Sequence, residues 1–189
     1  IANFTLRSIK FPRDEGSHDE THEFWRAAFL LTSSQGKRFG ISATYTKYSE
    51  AFGGENERLL SITDEDNVTG ETFYSKRYLG NLTAEKGRLN LSYEEPGGLD
   101  RDSWHQLEGF NYSYSAELYD VTSNVASIHL TINYLKPPIL IGDEGKIFNA
   151  TLNFGTIYGY SQTRLLAQGS FDLNGSSHDV QGLAWIDHQ

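Results

Sequence analysis

The stretch Ser127-Ile128-His129-Leu130-Thr131-Ile132-Asn133-Tyr134 alternates polar and apolar residues without a break. Successive side chains of a β-strand point to opposite faces, so this period of two predicts an antiparallel strand with one buried and one solvated face. The same alternation occurs in residues 110–118, 88–93 and 39–45. Turn residues separate such runs, among them Pro96-Gly97-Gly98, Pro137-Pro138 and Asn174-Gly175-Ser176.

No stretch keeps the helical period of about 3.6 residues over three turns, so little helix is expected. We count about eight to ten strands at spacings typical of a sandwich or barrel. No change of composition marks a linker, and 189 residues fit one large domain with a full core. The sequence therefore predicts that residues 1–189 form a single all-β, antiparallel domain.

Composition excludes several classes of protein. The chain has 38% hydrophobic and 13% aromatic residues, which excludes a disordered chain. Its net charge of −9 argues against nucleic-acid and anionic-membrane partners, both of which attract basic surfaces. No apolar run approaches the roughly 20 residues of a membrane span. The absence of cysteine excludes thiol catalysis. Neither a nucleophile elbow, a phosphate loop nor a dinucleotide fingerprint is present.

Seven Asn-x-Ser/Thr sequons occur where chance predicts about two. They begin at Asn3, Asn67, Asn81, Asn90, Asn111, Asn149 and Asn174. Their number predicts a secreted, extracellular glycoprotein. The chain also contains no methionine, so we expect the numbering to begin inside a longer precursor, for which a cleaved signal peptide is one explanation.

The acidic stretch from Asp14 to Glu23 contains His18 and His22 and resembles a metal site at first reading. The spacing of these histidines brings them together only on a helix, and Gly16 and Ser17 favour a loop. We therefore expect a solvated loop that leads into a strand, with no metal and no cofactor.

Three aromatic-rich patches remain as candidates for chemistry. They are His22-Glu23-Phe24-Trp25-Arg26, residues 158–164, and Trp185-Ile186-Asp187-His188. In an extended chain Trp185 and Asp187 share one face, whereas Ile186 and His188 share the other. A carboxyl group beside an indole is desolvated, which raises its pKa and keeps it available as an acid.

These patches resemble the carotenoid 1,2-hydratase (AttH/CrtC-like) family of lipocalin-related proteins. His22-Glu23-Phe24-Trp25 and Arg38-Phe39-Gly40-Ile41 are similar to two consecutive strands of that family. Residues 160–165 are similar to its Y-S-x-[TP]-R-L segment, and residues 182–189 to its G-x-[AG]-W-x-D-H-[QEN] motif. The matches occur in order. The resemblance implies a lipocalin-like barrel or sandwich, which is the first of two such domains, so a partner would be the protein's own second β domain.

The resemblance also implies an activity. The family includes carotenoid hydratases, decalin-forming pericyclases and a secreted fungal kievitone hydratase, which the sequons and acidic charge favour. The expected function is a cofactor-free hydratase that adds water to the terminal double bond of a prenyl side chain on a phenolic or isoflavonoid substrate. An acid would protonate the alkene to a tertiary cation, beside an aromatic wall. A pericyclase and a non-catalytic carrier of an apolar ligand are the alternatives.

The family motif, strand geometry and the needs of this reaction together suggest roles for particular residues. Asp187 is the expected acid, and Glu23 is a reserve acid or the base that activates water. Arg164 is expected either to pair with one of these carboxylates or to bind substrate. His188 points away from Asp187 in a regular strand and is expected to support the site from behind. The candidates for the aromatic wall are Trp25, Tyr45, Tyr160 and Trp185.

Overall fold

A computed structural model describes residues 8–20, 22–49, 54, 56–64, 74–120, 123–148 and 156–189. These residues contain one short 3-10 helix, Arg13–Glu15, followed by thirteen strands. The first eight strands are β1 (His22–Ser33), β2 (Arg38–Tyr48), β3 (Asn56–Asp64), β4 (Tyr74–Ala84), β5 (Asn90–Glu94), β6 (Arg101–Gln106), β7 (Tyr112–Asp120) and β8 (Ser123–Tyr134). The remaining five are β9 (Ile139–Leu140), β10 (Lys146–Phe148), β11 (Thr156–Tyr158), β12 (Tyr160–Leu173) and β13 (Ser176–His188).

Ten of these strands form a closed antiparallel ring. Strands β1 to β8 pair in chain order, β8 pairs with β12, and β12 pairs with β13. β13 then pairs with β1, with Leu30 opposite Leu183 and Trp25 opposite His188. The short strand β9 pairs with the beginning of β12, and β10 and β11 form a separate two-stranded sheet. The prediction of an all-β antiparallel fold is confirmed.

The alternation in the sequence decides which residues fill the interior. The apolar positions of β2, β7 and β8 are buried, and their polar neighbours are not: Phe39, Ile41, Ala43, Tyr112, Tyr114, Ala116, Ile128, Leu130 and Ile132 all lie in the core. Tyr134 is the exception to the predicted pattern, since it is exposed at the end of β8. No helix within the described ranges is long and apolar enough to cross a membrane.

The hairpin of β12 and β13 has two irregular features, a tight turn at one end and a bulge near the other. Asn174 and Gly175 both have positive φ, 50° and 77°, which fits the tight turn that joins β12 to β13. A β-bulge shifts the register of β12 between Gln162 and Leu165. Because of this shift, Gln162 and Leu165 are both buried, although residues three positions apart in a regular strand point to opposite faces.

Candidate active site

The N-terminal segment enters the interior of the ring. Asp14, Glu15, Gly16 and Ser17 are buried, and the Ser17 amide donates to the Glu85 carbonyl at 2.6 Å. A Cβ atom on Gly16 would lie 2.6 Å from that same carbonyl oxygen, so only glycine fits there. The expectation of a solvated loop is therefore wrong for Asp14 to Ser17, whereas Asp19 and Glu20 are exposed as expected and the segment leads into β1. Asp14 and Glu15 do not face solvent because this part of the segment packs against the connection between β4 and β5 and against Trp25 of β1.

Glu15 is the most completely buried acid of this segment, with 0% exposure. Its carboxylate oxygens accept hydrogen bonds from the Tyr112 hydroxyl, from Gln162 Nε2 at 3.0 Å and from Gln106 Nε2 at 2.5 Å. All three donors are neutral, so none offsets the loss of hydration with a positive charge. Burial raises the pKa of Glu15 to about 7, although the three hydrogen bonds oppose this effect. Glu15 can therefore hold a proton at near-neutral pH.

Glu23 lies nearby in a different electrostatic setting. One of its oxygens, Oε1, is 2.6 Å from His18 Nδ1 and 3.0 Å from His188 Nε2, and Lys47 Nζ is 3.9 Å from the other oxygen. Burial would raise the pKa of Glu23, but the bonds from His18 and His188 lower it to about 2. Glu23 is therefore ionised under ordinary conditions and cannot serve as the reserve acid at neutral pH.

His18 links Glu23 to the N-terminal segment. Its second ring nitrogen, Nε2, lies 3.1 Å from Asp14 Oδ1. Both ring nitrogens thus face carboxylate oxygens, which only accept hydrogen bonds, so both contacts form together when the ring carries two protons. Burial lowers the pKa of His188, whose ring stacks 5.7 Å from that of His18. The network anchors the segment that carries Glu15.

Within the described part of the chain, the set best placed to hold a metal ion consists of His18, Glu23 and His188. Possible ligand atoms of His18, Glu23 and His188 lie within 4.8 Å of one another. In the structure these atoms hydrogen bond to one another, and Lys47 supplies a further positive charge. His22, the other histidine of the considered pair, is exposed on β1 and takes no part.

Aromatic rings connect the two carboxyl groups. The Trp25 ring stacks on His188 at 4.8 Å with an interplanar angle of 22°, and Trp25 Nε1 donates to the Glu15 carbonyl at 3.1 Å. The Tyr160 ring meets His188 edge-on at 5.6 Å. The structure thus brings the predicted residues Glu23, Trp25 and Tyr160 together, with Glu23 and Trp25 both on the buried face of β1.

Tyr45 belongs to a second buried polar cluster. Its hydroxyl donates to Asp102 Oδ2 at 2.6 Å and lies 3.1 Å from the Tyr114 hydroxyl. Arg58 binds Asp100 at 2.7 Å and Asp102 at 2.6 Å, and all three charged groups are buried. Burial raises the pKa of Asp102 to about 6, against the opposing charge of Arg58. Tyr45 therefore supports the buried ion pair of Arg58 with Asp102 and does not contact Glu15 in the described structure.

Asp187 and Trp185 share a face as predicted, but it is the outer face of β13. Trp185 is 45% exposed, whereas Ala184, Ile186 and His188 are buried. Asp187 Oδ1 accepts from Trp185 Nε1 at 2.6 Å and from Ser161 Oγ at 2.5 Å. His188 points away from Asp187, as predicted, and it is His188 that enters the interior. The apolar residues of β13 decide which face turns inward.

Arg164 lies at the bulge of β12 and is exposed. Neither predicted ion pair forms. Glu23 pairs with His18, His188 and Lys47, and Asp187 accepts from Ser161 and Trp185. The bulge directs Gln162 inward and leaves Arg164 outside, which a regular strand pattern does not reveal.

The sequons divide into three groups. Asn81 and Asn174 are exposed, and Asn90 and Asn111 are half-buried. The side-chain oxygen of Asn90 hydrogen bonds to the His105 ring, and that of Asn111 accepts from the backbone amide of Tyr134. Three further predicted sequons, Asn3, Asn67 and Asn149, lie outside the described residues.

Comparison with known proteins places the chain in a family. The AttH-like family matches residues 4–189, and the chain belongs to it. The fold is similar to a crystal structure of an AttH protein from Nitrosomonas europaea, with a TM-score of 0.76 and 19% identity over 97% of this chain and 56% of that chain.

A second similar structure is kievitone hydratase from Nectria haematococca, with a TM-score of 0.54 and 11% identity. That match covers 95% of this chain and 51% of the hydratase. The chain thus spans about half the length of the two solved structures. No curated protein sequence showed significant similarity to it. At these identities the likeness shows the fold, which is the lipocalin-like fold of the AttH-like family.

Proposed function

We propose that the protein is a cofactor-free hydratase that adds water to the terminal double bond of a prenyl side chain on a phenolic compound. The observation that carries this proposal is Glu15, a fully buried carboxyl group whose pKa of about 7 keeps it protonated at mildly acidic to neutral pH. Family membership and the fold shared with a hydratase support the reaction class.

The chemistry of alkene hydration fits this carboxyl group. A trisubstituted alkene is a weak base, so protonation needs an acid in a desolvated setting. The Glu15 O–H would transfer its proton to the less substituted alkene carbon, which breaks the π bond and leaves a tertiary cation on the neighbouring carbon. The rings of Trp25 and Tyr160 lie on this side of the interior and would stabilise the cation.

Water completes the reaction without a net change in the protein. A water oxygen forms the new bond to the cationic carbon, and its excess proton returns to the Glu15 carboxylate. Gln162 Oε1 is a buried acceptor without a hydrogen-bond partner among the described residues, whereas Gln162 Nε2 donates to Glu15. Gln162 Oε1 is therefore placed to accept a hydrogen bond from a water next to the Glu15 carboxyl group. Since Glu15 is fully buried, a substrate reaches it only when the residues around it move.

The assignment differs from the role that the sequence predicted for Asp187. Asp187 lies on the outer face beside Trp185, where it hydrogen bonds to Ser161. Glu23 is ionised and positions His18 and His188. We therefore propose Glu15 as the proton donor, with Trp25 and Tyr160 as the aromatic wall.

The test is a reaction with a defined product. The protein is incubated with several prenylated phenols, and mass spectrometry follows the gain of one water. We expect product with the wild-type protein and a loss of about a hundredfold or more in rate for Glu15→Gln. A carrier would give no product with any substrate. A pericyclase would retain its activity in Glu15→Gln, because cyclisation of a polyene needs no strong acid.

We also propose that the protein is secreted and carries glycans at its exposed sequons. Asn81 and Asn174 are the exposed candidates within the described residues. Expression in a secreting eukaryotic host followed by endoglycosidase digestion should reduce the mass of the wild-type protein. Asn81→Gln and Asn174→Gln should each remove one glycan. An unchanged mass after digestion would contradict this proposal.

A further inference from the structure

Two polar hydrogens in the interior have no partner in the described part of the chain. Trp104 Nε1 and the Tyr93 hydroxyl are buried without a hydrogen bond, and their side chains are 0% and 1% exposed. Burial of an unsatisfied donor is unfavourable, and folded proteins retain few of them. Burial also raises the pKa of Tyr93, so its hydroxyl keeps its proton. Both groups can therefore donate to an acceptor that the described residues do not provide.

Trp104 and Tyr93, which carry the two donors, lie on the same surface of the interior. Trp104 on β6 is opposite Leu91, and Tyr93 on β5 is opposite Asp102, so the two residues are diagonal neighbours on the inner face. Their rings lie 6.5 Å and 6.3 Å from the ring of Tyr45.

Nearby acceptors are already engaged. Asp102 accepts from Arg58 and from Tyr45, and Tyr45 also contacts the Tyr114 hydroxyl. The Trp104 ring lies between this cluster and Tyr112, since its centroid is 5.9 Å from Tyr114 and 6.5 Å from Tyr112. Tyr112 in turn donates to Glu15. The ring of Tyr112 thus lies between Trp104 and the proposed acid, Glu15.

We propose that Trp104 Nε1 and the Tyr93 hydroxyl form a recognition site for an oxygen atom of the ligand. The inference rests on the proposed function and deepens it: the alkene of the substrate faces Glu15, and a phenolic or carbonyl oxygen at the other end accepts from Trp104 and Tyr93. A hydrocarbon isoprenoid has no atom that satisfies these donors. The site therefore selects an oxygenated, prenyl-bearing aromatic compound over a pure hydrocarbon.

The experiment compares two ligands that differ in one group. Isothermal titration calorimetry measures the binding of a prenylated phenol and of the corresponding prenylated benzene, which lacks the hydroxyl. We expect the wild-type protein to bind the phenol about tenfold more tightly. Trp104→Phe and Tyr93→Phe should each reduce phenol affinity by about fivefold, with little change for the benzene. Trp185→Phe is the matched control, because its indole lies on the outer face, and it should alter neither affinity.

The outcomes separate this inference from the hydratase proposal. Equal affinity of the wild-type protein for both ligands, binding of neither ligand, or equal losses for both ligands in the two variants would overturn the recognition site. A preference for the phenol that disappears in Trp104→Phe and in Tyr93→Phe supports it, even where the separate product assay shows no addition of water. Failure of the product assay alone overturns the reaction and leaves the recognition site in place.

Discussion

Two buried clusters of charged or titratable groups lie inside the same ring of strands, and they differ in how charge is balanced. In the first, Arg58 binds Asp100 and Asp102 at 2.7 Å and 2.6 Å. In the second, Glu15 is bound by Tyr112, Gln106 and Gln162, which are all neutral. Both clusters are nearly inaccessible to solvent. The contrast separates an ion pair that the fold requires from a carboxyl group that retains its proton.

The physical basis of the contrast is desolvation. A buried carboxylate next to an arginine gains Coulomb energy that offsets its lost hydration. Without the arginine, the buried negative charge has no compensation and destabilises the fold. A buried carboxyl group with neutral donors lowers that cost by remaining protonated. Perturbed pKa values of this second kind are common where proteins perform proton transfer. The comparison therefore supports a structural role for Arg58 and is consistent with the chemical role that we propose for Glu15.

Loss of Arg58 should have the largest effect on stability. Arg58→Met leaves Asp100 and Asp102 buried without their cation, so we expect a loss of about 3–5 kcal/mol in the free energy of unfolding. Denaturant titration measures this loss. Arg101→Met is the control, because Arg101 forms an exposed pair with Glu94 and should change stability by less than about 1 kcal/mol. Similar losses of unfolding free energy in the two variants would contradict a structural role for Arg58.

Glu15 should give the stability of the protein a characteristic dependence on pH. Its pKa is about 7 in the folded protein and 4.5 in the reference state, so between these values the unfolded chain loses the proton first. The free energy of unfolding should therefore fall by up to roughly 3 kcal/mol as pH rises from 4.5 to 7.

Glu15→Gln lacks this contribution. The difference in stability between the variant and the wild-type protein should therefore grow in favour of the variant across the same interval. Asp102, whose pKa is also raised, is present in both proteins and cancels in the difference. A difference that does not change with pH would contradict the burial of a protonated Glu15.

Glu23 should show the opposite sign. Its pKa is lowered from 4.5 to about 2, so its contribution to stability is present above pH 4.5 and is lost as pH falls towards 2. Glu23→Gln should cost up to roughly 3 kcal/mol at pH 6 and clearly less at pH 3. Thermal unfolding at the two pH values measures this. An equal cost at both values would show that the ion pairs with His18 and His188 contribute little.

Asp187→Asn should have the smallest effect. The asparagine oxygen can still accept from Ser161 and Trp185 on the outer face, so we expect a change within about 1 kcal/mol in stability. Water addition to a prenylated phenol should stay within about twofold of the wild-type rate. A complete loss of hydration would restore Asp187 as the acid and overturn the assignment of Glu15.

Much of the fold follows from the sequence because a period of two is a local signal. The runs around Phe39, Tyr112 and Ile128 bury the residues that the alternation selects. The ring closure between β13 and β1 is not local, since it joins residues more than 150 positions apart, such as Trp25 and His188. The alternation alone did not predict this closure, whereas the resemblance to lipocalin-related proteins implied a barrel or sandwich.

The site was only partly predictable. Glu23, Trp25 and Tyr160 lie close together, whereas Asp187, which the family motif and its shared face with Trp185 suggested as the acid, lies on the outer face. Ala184 and Ile186, on the opposite face from Trp185, were the better guide to which side of β13 turns inward. Glu15 gave no sequence signal, because its partners Tyr112 and Gln162 are 97 and 147 positions away.

The protonation state of Glu15 tests the central claim most directly. Carbon-13 NMR of protein labelled at the glutamate side-chain carboxyl groups follows each titration, and Glu15→Gln identifies the resonance of Glu15. We predict one glutamate with a pKa near 7 whose resonance is missing in that variant. A Glu15 resonance that titrates below about 5, like an ordinary solvated glutamate, would contradict the account.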